Sequence, residues 1–145
     1  MAAYPGTYIL VLWMPIAADV NVGSRRRQAF SDGHHAYVGS ALNSLFPRLR
    51  RHLRVDKPLR WHIDYLRQVA SVVRIYYRLG TERIECETAS RVAALDGAEA
   101  IPRFGSSDCR CASHLFRLPT GTELELGPGW VALDVDERDP LSALA

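Results

Sequence analysis

Cys109-Arg110-Cys111, with His114 three residues on and Cys86 beside Glu85, could offer three soft sulfur ligands and one borderline nitrogen to a tetrahedral zinc ion. The CxCxxH spacing is not a standard zinc knuckle, and the alternative is a set of buried, unligated thiols. A second group of residue types suits phosphate. Residues 25–83 carry thirteen basic side chains against four acids, a local charge of +9 in a chain whose total is +2. Seventeen of the eighteen cations are arginine. Arginine's planar guanidinium grips phosphate oxygens in pairs, although a GC-rich genome would produce the same bias. Arg25, Arg26, Arg27, Arg50, Arg51, Arg54 and Lys57 are the candidate nucleic-acid contacts. No base-reading motif accompanies them, so the binding they predict is salt-sensitive and largely sequence-independent. His62 and Asp64 are two apart, which on a helix points them to different faces; each is read as a site residue or as a cap or buried hydrogen-bond partner. Ser106, Ser107 and Asp108 read as turn or capping residues.

These residues must be positioned by a small α/β domain of the α+β type, a mixed or antiparallel sheet flanked by about three helices. Tyr8 to Trp13 is β-branched and aromatic enough for a largely buried strand. The connection from Met14 to His35 holds a candidate short strand at Asp19–Val22, and Ala36–Val38 forms a second strand ending in Gly39-Ser40. Pro47 falls in the tolerant first turn of a helix over about Ser44–Arg54, where Leu45, Leu49 and Leu53 recur every fourth residue and Arg48 and His52 share a face. A second helix is expected over Trp61–Val69 and a strand over Val72–Tyr77. Thr81 could cap a third helix running to about Leu95, with Gly97 as its stop. After a loop from Ile101 to Ser113 come a strand at Leu115–Leu118 and a hairpin around Gly127-Pro128-Gly129.

In order along the chain stand Gly6-Thr7-Tyr8, then Tyr37-Val38-Gly39-Ser40-Ala41, then Arg48-Leu49-Arg50-Arg51-His52, followed by WHIDYL (61–66), ECETA (85–89) and FGSSDCRCASHLF (104–116). This ordered set resembles the GIY-YIG nuclease superfamily, and within it a little-characterised branch found alone or fused to endonuclease III-type DNA glycosylases. The resemblance covers residues 5–118, the nuclease-like core of a single domain over 1–145, and leaves 119–145 as a C-terminal hairpin or tail. Two departures stand out. Thr7 replaces the isoleucine of the first motif, and 29 residues separate Tyr8 from Tyr37, a connection long enough to reshape or cover the substrate face.

The resemblance implies a divalent-metal-dependent endonuclease that hydrolyses phosphodiester bonds in DNA repair or processing. Glu85 would hold Mg²⁺ or Mn²⁺, with Glu82 and Glu87 as neighbours that a slipped alignment could choose instead. Arg48 would bind the scissile phosphate, Tyr8 would assist the attacking water, and Tyr37 would orient that water or the phosphate. His52 would shuttle a proton or touch phosphate. Its partners would be DNA, nicked, branched or damaged, and a DNA-repair protein. The alternatives are a non-catalytic nucleic-acid-binding module and a zinc-stabilised adaptor that keep the scaffold.

Composition sets the outer bounds. At 48% hydrophobic and 23% charged over 145 residues, the chain has the make-up of one soluble globular domain. Its longest apolar stretch, Tyr8–Ala18, is broken by Pro15 and too short for a membrane span. The absence of a secretory-type start leads to a cytoplasmic expectation, in which the three cysteines stay thiols or metal ligands.

Overall fold

The computed structural model describes residues 4–23, 27–106 and 109–144. Strand β1 (Gly6–Met14) is the axis of the molecule. It pairs antiparallel along its whole length with β4 (Gly33–Ala41), from Gly6 opposite Ala41 to Met14 opposite Gly33, and on its other side with β5 (Ser71–Leu79). The complete six-stranded sheet runs β6 (Glu99–Ala100), β7 (Leu115–Leu118), β4, β1, β5, β8 (Trp130–Asp134), with every pairing antiparallel. The α/β expectation therefore holds, in its antiparallel form. β1 reads as a continuous apolar run because both faces of the sheet are covered.

Alternate residues of β1 serve two cores. Tyr8, Leu10, Leu12 and Met14 pack with helix α1 (Leu45–Leu53), helix α2 (His62–Leu66) and the hairpin of β2 (Ala18–Asn21) and β3 (Arg27–Phe30). Ile9 faces the other side, where Ala89 and Val92 of helix α3 (Glu85–Ala93) lie against Ala36, Val38 and Phe116. On α1 the i, i+4 leucines are fully sequestered, while Arg50 and, at the C-cap, Arg54 project to solvent. The long connection between the two tyrosine motifs is used for the β2–β3 hairpin, whose Val20 and Phe30 enter the first core.

Several expected bounds move. β4 is nine residues long rather than three, because pairing with all of β1 overrides the weak strand propensity of Gly33, His34 and His35. The second helix is shorter than expected. It stops at Leu66 where Arg67 turns inward to donate to the carbonyls of His52, Leu53 and Ala70. Thr81 caps nothing: the chain uses the turn after Leu79 to cross to the opposite face, and α3 begins only at Glu85, with Ile84 at its N-cap. The C-terminal segment makes no hairpin of its own. β8 instead adds to the main sheet along β5, and a single 3₁₀ turn, Pro140–Leu144, follows. Among the described residues no helix is long and apolar enough to cross a membrane.

Candidate active site

β7 pairs with β4 only as far as Tyr37, and one more bond, from the Val38 amide to the His114 carbonyl (2.8 Å), closes that ladder. Gly39 and Ser40 are thus left on an open sheet edge. Around that edge a cleft of about 330 Å³ is lined by Tyr8, Tyr37, Ser40, Arg48, His52 and Glu85, with Arg60, Trp61 and His62 at one side and Gly105 closing it. The open edge lets groups from opposite faces of the sheet meet. Tyr8 and Tyr37 come from the α1 side, and Glu85 comes from the first turn of α3 on the other.

Gly39 explains its own place in the motif. It sits opposite Tyr8 in the register, and a Cβ there would lie 2.5 Å from the Tyr8 hydroxyl oxygen. Any larger residue would displace the phenol. Gly6, in the first motif, is equally constrained: a Cβ would fall 2.7 Å from the Arg78 carbonyl oxygen.

Tyr8 Oη lies 2.7 Å from His52 Nε2 in a buried contact. Burial lowers the His52 pKa to about 3, with Lys57 adding to the effect, so the ring is neutral at physiological pH. Burial, helped by Tyr37, likewise pushes the Tyr8 hydroxyl well above its ordinary pKa against the pull of Arg48. Burial and then Glu85 raise that of Tyr37. His52 Nδ1 has no hydrogen-bond partner among the described residues, and its ring is only 1% exposed. Within the cleft lining, His52 is hydrogen-bonded to the Tyr8 hydroxyl.

Arg48 reaches the Ser40 carbonyl at 3.4 Å and lies over the Trp61 ring at 4.6 Å. Glu85 is held at both oxygens: Ser40 Oγ donates to Oε1 at 2.8 Å, and His114 Nδ1 is 3.1 Å from Oε2. Burial alone would raise the Glu85 pKa, but these two bonds bring it below the ordinary carboxylate value. Glu82 lines a different recess, near Thr7 and Arg78, and Glu87 is exposed outside the cleft. Of the three glutamates only Glu85 faces the two tyrosines.

The expected nucleic-acid contacts divide. Arg50 on α1 and Arg54 at its C-cap are exposed. Arg51 and Lys57 are not available in the same way. Arg51 grips Asp64 with both guanidinium nitrogens at 2.8 Å, and Lys57 Nζ sits 3.5 Å from the same carboxylate with its side chain 4% exposed. Asp64, fully buried, also accepts from the Arg60 and Trp61 amides. Burial pushes its pKa up, but these bonds more than reverse that and hold it far below the usual carboxylate range. Asp64 is a structural anchor, as its second reading had it, whereas His62 lines the cleft. Arg27 lies away from the cleft beside Asp19, at 3.5 Å. Arg25, Arg26, Ser107 and Asp108 fall outside the described residues. None of the described residues of the Met14–Asp32 connection lines the cleft, and its Val20 and Phe30 pack into the core.

Sequence reasoning missed Trp61 and Ser40. Trp61 stands 36% exposed with both Arg48 and Arg51 against its ring. Three consecutive polar or aromatic positions after Pro58-Leu59 were the available signal.

The sulfur-rich group does assemble. Cys86, Cys109, Cys111 and His114 bring their ligand atoms within 4.8 Å of one another, a cluster that could hold a metal ion.

A family model described as "Domain of unknown function DUF123" matches residues 7–126. No curated protein and no solved structure matches the chain.

Proposed function

The chain belongs to the DUF123 family, and from that premise and the geometry of the cleft we propose that it is a divalent-metal-dependent DNA endonuclease of the GIY-YIG kind, working in DNA repair or processing. The observation that carries this reading is the convergence of Tyr8, Tyr37, Arg48, His52 and Glu85, drawn from β1, β4, α1 and α3, on one cleft.

The donor set fits Mg²⁺ or Mn²⁺. A single carboxylate, Glu85, faces the open cleft, and these hard ions keep most of their waters while taking one or two protein oxygens. Bound there, such an ion would supply Lewis acidity and charge neutralisation to a phosphodiester. The protein's own groups do the rest. Arg48, steadied by Trp61 and the Ser40 carbonyl, faces the non-bridging oxygens, where transition-state charge builds up. With the Tyr8 proton directed to neutral His52, the phenol oxygen offers its lone pairs to the cleft and orients the attacking water. Tyr37, on the neighbouring strand, positions the phosphate. The duplex flanks would rest on exposed Arg50, Arg54 and Arg60.

The test is cleavage of nicked, flapped and branched DNA with Mg²⁺ or Mn²⁺. Cutting should stop on chelation, and Arg48→Ala should slow it by about 10³–10⁵-fold while DNA binding persists. DNA binding without cutting of any substrate would leave the non-catalytic module in its place.

A further inference from the structure

We propose that Cys86, Cys109, Cys111 and His114 hold one Zn²⁺ ion and that this ion, through His114, sets the position of Glu85. The ligation stands on its own; the consequence for Glu85 rests on the endonuclease reading.

The three sulfurs come from two distant pieces of chain. Cys86 sits in the first turn of α3, and Cys109 and Cys111 lie in the loop that leads into β7. All three are free thiols, and an odd number cannot pair off. His114 Nε2 is 3.5 Å from Cys109 Sγ and 3.9 Å from Cys86 Sγ. A tetrahedral zinc with bonds of about 2.3 Å to sulfur and about 2.0 Å to nitrogen requires S···N edges of about 3.5 Å and S···S edges of about 3.8 Å. The Cys109 edge already matches this size, and all four ligand atoms lie within 4.8 Å of one another, so a small contraction completes the polyhedron. Thiolate and imidazole together select zinc over the hard cations that suit Glu85. Binding is balanced by release of the thiol protons to solvent.

His114 supplies the independent observation. Its side chain is 1% exposed, its amide donates to the Phe104 carbonyl at 2.7 Å, and its carbonyl accepts from Val38. The ring is thereby fixed with Nδ1 against Glu85 Oε2 and Nε2 turned to the sulfurs. A histidine that offers one nitrogen to a metal and donates through the other to a carboxylate is the usual arrangement at protein zinc sites. Ligation at Nε2 obliges Nδ1 to carry the proton, so Nδ1–H donates to Oε2 while Ser40 donates to Oε1. Both carboxylate oxygens are then tied, and the plane of Glu85 is set. Backbone bonds such as Arg103 N–H to the Ala112 carbonyl (2.8 Å) close the loop around the cluster, but apolar burial contributes little to it. From 101 to 112 its only fully buried apolar side chain among the described residues is Phe104. Cys86 is exposed and Cys109 and Cys111 are half-buried, so the ion should exchange with chelators.

The experiment uses the full chain, purified under reductant without chelator. It should contain about one zinc per chain. After exchange, Co²⁺ should give the thiolate charge-transfer and tetrahedral d–d absorption of a sulfur-rich site. Cys111→Ser and Cys109→Ser should each lose both the zinc and the cobalt bands. Stripping the zinc should lower the melting temperature and weaken Mn²⁺ binding at Glu85, read by electron paramagnetic resonance, by about 10-fold. Wild-type protein with no zinc and no cobalt bands overturns the ligation, and so does zinc that survives both substitutions. Zinc present with Mn²⁺ affinity unchanged on stripping overturns the link to Glu85. A zinc protein that cuts no DNA keeps the ligation and removes the endonuclease reading; DNA cutting by a zinc-free chain does the reverse.

Discussion

Tyr8, Arg48 and His52 come from β1 and α1, which share one core with Leu10, Leu12, Leu45, Leu49 and Leu53, whereas Glu85 comes from the first turn of α3 and leans on Ser40 and His114. The first wall of the cleft is set by close packing, so its groups cannot move without disturbing the core. The second is set by directional polar contacts across an open sheet edge, beside a loop with little apolar burial. Such a wall can shift while the fold stays intact. The contrast separates what is fixed once the chain has folded from what a bound ion can still adjust.

The largest expected effect lies behind the packed wall. Asp64→Ala would leave Arg51 and Lys57 without their buried counter-charge, and urea unfolding should show a loss of about 3–5 kcal/mol. A loss under about 1 kcal/mol would mean that the end of α1 is held by packing alone.

Acid should act on the same wall. His52 binds a proton more readily unfolded, near its ordinary 6.5, than folded, near 3. Its contribution is therefore complete above about pH 6.5 and is lost progressively as the pH falls toward 3. The slope approaches ~1.4 kcal/mol per pH unit for one proton. Asp64, with its lowered pKa, adds a loss only below the ordinary carboxylate range. Stability of His52→Gln, followed from pH 7 to 4, should fall less steeply than wild type. Parallel curves would contradict the buried neutral imidazole.

The smallest change in stability is expected at the polar wall. Ser40→Ala removes the donor to Glu85 Oε1 and should cost only about 0.5–1.5 kcal/mol, yet slow metal-dependent cleavage about 10-fold. If both changed in proportion, the two walls would be one cooperative unit and the comparison would fail.

The same division decides how much was legible in the sequence. The packed wall announces itself by local pattern, a β-branched run for β1 and leucines at every fourth residue for α1, so its two elements are legible from the sequence. The polar wall depends on contacts between residues far apart in the chain. Thr81 is a good cap by type, but the crossing to the opposite face postpones the helix to Glu85. Arg51 and Lys57 look like surface charge because nothing local marks Asp64 as their buried partner. β6 is two residues long, and β8 gains its place from β5, which no pattern within 119–145 could reveal. The ligand cluster was readable as a set of residue types; its assembly needed the fold.

Glu85 is the residue on which the proposed chemistry depends, and the decisive measurement is the cleavage rate of Glu85→Gln on whichever nicked, flapped or branched DNA the wild type cuts, alongside Glu82→Gln and Glu87→Gln. Glutamine keeps the size and the contact with Ser40 but removes the charge that would hold Mg²⁺ or Mn²⁺. Cutting should fall by about three orders of magnitude or more with DNA affinity and zinc content unchanged, and the other two variants should cut like wild type. Glu85→Gln cutting at the wild-type rate would contradict the account.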